Sequence, residues 1–169
     1  AVSEEEVVLA PIRIQGDHGP VAFRNLRYKL YNGKRVGLKS LKIKEFESEE
    51  FESEEFGLPG LTTLKLKEER TTDSISAAVS VKRDKFCLVY EGKLTIPNSG
   101  NYLFQINVNK ADVMFIVGQD TLFVTNDNVG IEDLLVSNIE LEAGTVPFTL
   151  IYNKSRRWWS KGLKLFVEG

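Results

Sequence analysis

Apolar and polar residues alternate along most of this chain with a period of two, the period of a strand with one face buried. In DVMFIVG (112–118), Val113, Phe115 and Val117 alternate with Met114, Ile116 and Gly118. PIRIQ (11–15) alternates Ile12 and Ile14 with polar neighbours. After the turn signal GDHG (16–19), VAFRNLRYKLY (21–31) alternates again, and its parity change near Asn25 predicts a bulge. VGLKSLKIKEF (36–46) puts Leu41 and Ile43 on one face with lysines between. Further strands are predicted at 76–81, 85–96, 100–109, 112–118, 120–125, 136–144, 146–153 and 162–169. Turn chemistry separates them: PNSG at 97–100, VGQD at 117–120 and EAGT at 142–145. IEDLL (131–135) is at most a helical turn. The pattern predicts an all-β fold, an antiparallel β-sandwich of roughly ten short strands with jelly-roll-like character.

One stretch breaks the pattern. FESEEFESEEF (46–56) writes FESEE twice and adds a third Phe. A spacing of five matches neither strand nor helix, so Phe46, Phe51 and Phe56 cannot share one face of a regular element. The run is rich in glutamate, whose oxygens suit hard cations. It lacks the Asp, Asn and Gly that shape calcium loops, and reads as a tandem duplication in a solvated loop or strand edge.

Composition narrows the classes. The chain has 169 residues, enough for one ordinary domain with a real core. A formal net charge of −2 gives no electrostatic reason to expect a nucleic-acid partner. Cys87 is the single cysteine, so no internal disulfide forms. No run of 18 apolar residues marks a transmembrane segment. The opening AVSEEEVV has neither the basic end nor the apolar middle of a signal peptide.

Catalytic motifs are sparse. There is no GxSxG, no phosphate-cradling glycine loop and no metal-spaced His/Cys cluster. Cys87 sits among apolar strand residues and reads as a small buried hydrophobe. His18, the single histidine, lies in a Gly-Asp-His-Gly turn and reads as a turn residue. The stretch with most binding character is NKSRRWWSKG (153–162). Indole faces stack on the C–H faces of sugar rings, and guanidinium groups offer planar donors to hydroxyls and carboxylates. Trp158, Trp159, Arg156 and Arg157 are therefore the candidate ligand-binding residues. The alternative is that one or both Trp plug an end of the sandwich.

Residues 86–118 carry an ordered set of landmarks: Glu91-Gly92, Ile96-Pro97, Gly100, Tyr102, Phe104, Phe115-Ile116 and Gly118. In these the chain resembles the β-sandwich family named after the N-terminal part of anthrax protective antigen. The similarity continues through TLFVTNDNVG (121–130), IELEAGTVPFTLIYN (139–153) and KGLKLFVEG (161–169), with GLPGLTTLK (57–65) upstream. It covers roughly 32–169. The first 31 residues resemble the closing strands of the three-keto-disaccharide hydrolase family, a concanavalin-like jelly roll, through Gln15, Asp17-His18-Gly19, Val21 and Phe23-Arg24-Asn25. The expected organisation is a trailing strand pair over 1–31 and a protective-antigen-type sandwich over 32–169.

Members of the sandwich family are mostly non-catalytic, accompany glycoside-processing enzymes, adhesins and toxins, and in several cases bind sugars. The resemblance implies a carbohydrate-associated module of a secreted, periplasmic or cell-surface bacterial protein. Its partners would be a glycan and neighbouring domains, and no enzyme activity is expected of this chain. The alternatives are a structural or adhesion sandwich without sugar binding, and the C-terminal fragment of a keto-glycoside hydrolase. The family's best-known sugar site holds calcium on two neighbouring aspartates. Aligned through Gly118, those positions are Asn109 and Lys110, so no cofactor is expected. Asp112 and Asp127 are the remaining weak metal candidates, and the same residues also suit turns.

Overall fold

The computed structural model describes residues 35–47, 64–80, 82, 85–125, 133–154 and 161–169. All lie in the second of the two units into which the chain divides, Ala1–Asn32 and Gly33–Gly169. The strands expected over 11–31, His18, the FESEE repeat beyond Glu47, and Asp127 fall outside the described residues.

Nine strands are described: β1 (Gly37–Glu47), β2 (Leu66–Thr71), β3 (Phe86–Ile96), β4 (Gly100–Val108), β5 (Asp112–Val117), β6 (Asp120–Thr125), β7 (Asp133–Leu141), β8 (Gly144–Lys154) and β9 (Leu163–Glu168). They form a six-stranded sheet in the order β2-β1-β3-β8-β5-β6 and a three-stranded sheet in the order β7-β4-β9. Every pairing is antiparallel. The protein is an all-β sandwich. Among the described residues no helix is long and apolar enough to cross a membrane.

The alternation read from the sequence is what joins the layers. Val113, Phe115 and Val117 of β5 point inward with Phe148, Leu150 and Tyr152 of β8, and meet Phe104, Ile106 and Val108 of β4 from the other sheet. Phe115 anchors this core, its ring centroid 5.5 Å from Phe104 and 6.1 Å from Phe148. Strand β3 is buried on both faces from Phe86 to Tyr90. Its outward residues Cys87 and Val89 form a second cluster with Ile151, flanked by Phe46, Leu64 and Met114. The outer side of the large sheet is thus locally apolar, as in strands covered on both faces. The VGQD signal makes a tight hairpin from β5 to β6, with Gly118 left-handed at φ 64.

Three expectations are corrected, and one strand lies where none was expected. LKEERT forms β2, although it carries no alternating pattern. It is an edge strand, almost wholly exposed, so no core face constrains its residues. SAAVSV is not a strand; Ala77–Val79 form a 3-10 turn capped by the Ser76 hydroxyl, which accepts from the Ala78 amide. Asp133–Leu135, expected as helical at most, opens β7, because pairing of Leu134 with Asn107 and of Leu135 with Ile106 extends the ladder. The expected strand at 136–144 is split: β7 stops at Leu141, and Gly144 already begins β8.

Strand β1 also departs from simple alternation. Its register against β3 shifts between Lys39 and Lys42, and Ser40 takes a left-handed φ of 52. Beyond this bulge Leu41 and Ile43 face the core as expected. The next inward residue is Glu45, buried to 7% exposure, while Phe46 joins the outer cluster.

Candidate functional site

The turn at 109–111 carries the chain from β4 in one sheet to β5 in the other. Lys110 sits at φ 44, a left-handed conformation uncommon for a residue with a side chain. Two long-range hydrogen bonds hold the turn. The Asn109 amide donates to the Gly162 carbonyl at 3.2 Å. The Lys154 ammonium donates to the Lys110 carbonyl at 2.7 Å. The approach at Gly162 is close enough that a Cβ there would lie 3.0 Å from the Asn109 Cβ. Both flanks of the 155–160 stretch are therefore fixed to one turn at one end of the sandwich.

This bears directly on the expected binding residues. Arg156, Arg157, Trp158 and Trp159 themselves lie outside the described residues. Lys154, which the sequence places in the same basic cluster, has no exposed surface. It follows Phe148, Leu150 and Tyr152 on the inward face of β8, and its buried side chain ends on the turn. Lys154 is a structural cation, with its charge bound inside the fold. Nothing in the local sequence distinguishes it from a solvated lysine.

Asp112 lies on the other side of the large sheet. Val113 points inward, so Asp112 points outward, opposite Asn153 in the β5–β8 ladder. Its carboxylate accepts from the Asn153 amide at 3.5 Å, a long contact. Asn153 is also the β3 partner of Cys87. Burial pushes the Cys87 thiol well above its usual range, and the nearby charge of Asp112 adds to this. The thiol is thus held neutral and enclosed, the opposite of a nucleophile's setting.

The donor set at the turn does not fit calcium. An amide and an ammonium stand where two carboxylates would be needed, and a buried lysine already takes the Lys110 carbonyl. Among the described residues no three His, Cys, Asp or Glu side chains gather closely enough to hold a metal.

Next to Gly162 lies a wall built from Ser76–Ser80, held by side chains from four directions. The Tyr90 hydroxyl donates to the Ser76 carbonyl at 2.7 Å and accepts from the Ser76 amide at 3.2 Å. The Ser80 hydroxyl donates to Glu45 at 2.9 Å. Arg70 donates to the Val79 carbonyl at 3.0 Å. Lys161 donates to the Ser80 carbonyl at 2.6 Å, its ammonium 5.8 Å from the centre of the Phe86 ring. A cavity of about 240 Å³ opens between Ser76–Ala78 and Lys161–Lys164. Local sequence does not reveal it, because SAAVSV reads as a strand and the clamps of the wall come from residues far away in the chain.

Solved structures share this architecture. An anti-sigma factor domain-containing protein from Clostridium clariflavum matches 85% of this chain and 47% of its own, at 18% identity and a TM-score of 0.59. A β-glucosidase from Kluyveromyces marxianus, solved in complex with glucose, matches 76% of this chain and 16% of its own, at 12% identity and a TM-score of 0.54. The Epithelial Adhesin 9 A domain from Candida glabrata, in complex with Galβ1-3GlcNAc, matches 79% of this chain and 82% of its own, at 16% identity and a TM-score of 0.50. At these identities the likeness is one of fold, and the chain spans less than half of the first protein. No curated protein matches the sequence. The family model of the PA14 domain matches residues 47–167, and the chain belongs to the PA14 domain family.

Proposed function

We propose that this domain is a non-catalytic carbohydrate-binding module of a larger, secreted or surface-exposed glycan-processing protein, and that Trp158, Trp159, Arg156 and Arg157 bind the glycan. The supporting observation is the anchoring of the 155–160 stretch. Its preceding residue and its following segment are both bonded to the 109–111 turn, through Lys154 to Lys110 and Gly162 to Asn109. A binding loop gains affinity when its ends are fixed beforehand, because less freedom is lost on binding. The only adjacent pair of aromatic residues in the chain falls between these anchors, next to Arg156 and Arg157. Fold relatives that include a sugar-bound adhesin domain and a β-glucosidase agree with this reading.

Single Trp158→Ala and Trp159→Ala variants of the full chain test it, each measured for polysaccharide retention and for unfolding. A stacked indole contributes on the order of 1 kcal/mol beyond its buried area, so retention should weaken several-fold with folding unchanged. A Trp that plugs the core would instead cost about 3–5 kcal/mol of stability when truncated. Stable variants that keep every glycan the parent keeps would remove the binding role.

A further inference from the structure

We infer that the cavity between Ser76–Ala78 and Lys161–Lys164 is a second sugar subsite, for a single acidic sugar unit bearing a carboxylate or a sulfate. The inference rests on the carbohydrate-binding reading and specifies its ligand class. Small-molecule pockets usually enclose about 300–1,000 Å³. A cavity of about 240 Å³ falls just below that range, the scale of one ring.

The walls are preformed. Ser76 is fixed by two bonds to the Tyr90 hydroxyl, and Val79 and Ser80 by Arg70, Glu45 and Lys161. Ala77, Ala78 and Leu163 give the cavity an apolar lining against which a ring's C–H face can lie. The charged residues among those that line it are Lys161 and the exposed Lys164. Neither ammonium forms an ion pair with a carboxylate among the described residues; Lys161 bonds only a neutral carbonyl. Glu45, the carboxylate attached to this wall, is buried and accepts from the Ser80 hydroxyl. Lys161 is a half-buried residue with one ammonium donor held by Ser80 and others to spare, and the lining next to it is apolar; that pairing calls for an anion carried on a largely apolar body. An acidic pyranose meets that description.

Affinity electrophoresis of the full chain tests the inference, with oligogalacturonate, its methyl ester, carrageenan oligosaccharides and neutral galacto-oligosaccharides as probes. Oligogalacturonate or the carrageenan fragments should bind more tightly than the ester and the neutral chain, and their difference identifies the anion. Lys161→Gln should weaken acidic-glycan binding about tenfold. Lys164→Gln, at an exposed position, should weaken it about two- to fivefold. Ala78→Leu keeps every charge but fills the cavity, and should abolish the preference for the acidic probe. Equal binding of acid and ester overturns the inference. So does loss on the lysine variants with none on Ala78→Leu, since charge would then act outside the cavity. If retention depends on Trp158 and Trp159 alone, the carbohydrate reading stands and the subsite falls. If the chain retains no glycan of any class, both fall.

Discussion

Two buried tyrosines make the packing of this sandwich measurable through pH. Tyr90 and Tyr152 both point into the core with no exposed surface. Burial pushes each hydroxyl up to about 12, opposed by a backbone contact with Ser76 at Tyr90 and with Gly162 at Tyr152. In an unfolded chain a tyrosine titrates near about 10. Between those values the unfolded state has released the proton that the folded state still holds. The unfolded state then binds fewer protons, so stability falls as pH rises through this window. At about pH 11 the loss is on the order of 1 kcal/mol for each tyrosine.

The two hydroxyls differ at neutral pH. Tyr90 bonds both backbone groups of Ser76, whereas the Tyr152 hydroxyl meets no partner with full hydrogen-bond geometry. Tyr90→Phe should therefore cost about 1–2 kcal/mol at pH near 7, because Ser76 loses both bonds. Tyr152→Phe should be close to neutral or slightly stabilising, since the buried hydroxyl it removes has only the Gly162 backbone contact, which falls short of full hydrogen-bond geometry. Urea unfolding followed by circular dichroism, at about pH 7 and about pH 11, gives the four differences. Each Phe variant should lose less than the parent between the two conditions, by on the order of 1 kcal/mol. A parent and variants with the same alkaline loss, or a Tyr90→Phe variant as stable as the parent at neutral pH, would refute the reasoning.

Phe115→Ala should lose about 3–5 kcal/mol in denaturant unfolding, because its ring joins both sheets through Phe104 and Phe148. Cys87 should resist a thiol reagent in the native protein and react at once on unfolding; fast native labelling would contradict its burial. Millimolar calcium should leave the melting temperature unchanged, since a ligand at about a hundredfold over its Kd would add roughly 2.7 kcal/mol. A calcium-dependent rise abolished by altering Asp112 or Asp127 would reverse the reading of the turn.

The fold class and most of the strands are legible in the alternation alone. β3, β4, β5 and β8 each have at least one face against the core, and burial of one face writes a period of two into the residues. The Gly and Pro signals between them mark backbone shapes that other residues resist, so the hairpin at Gly118 was legible too. Where neither constraint acts, the sequence is silent. β2 is an exposed edge, held to β1 by backbone bonds that any residue can make, so LKEERT looks like a loop. Long-range contacts decided the rest. Ser76–Ser80 becomes the wall of a cavity because Tyr90, Arg70, Glu45 and Lys161 clamp it from distant positions. Lys154 is chemically the same as the lysines around it, and only the fold, by placing the Lys110 carbonyl at the end of its buried stem, turns it from a surface charge into an internal tie. Local pattern records which face of a strand is buried; what a side chain's polar end meets is fixed by residues that approach only when the sheets close.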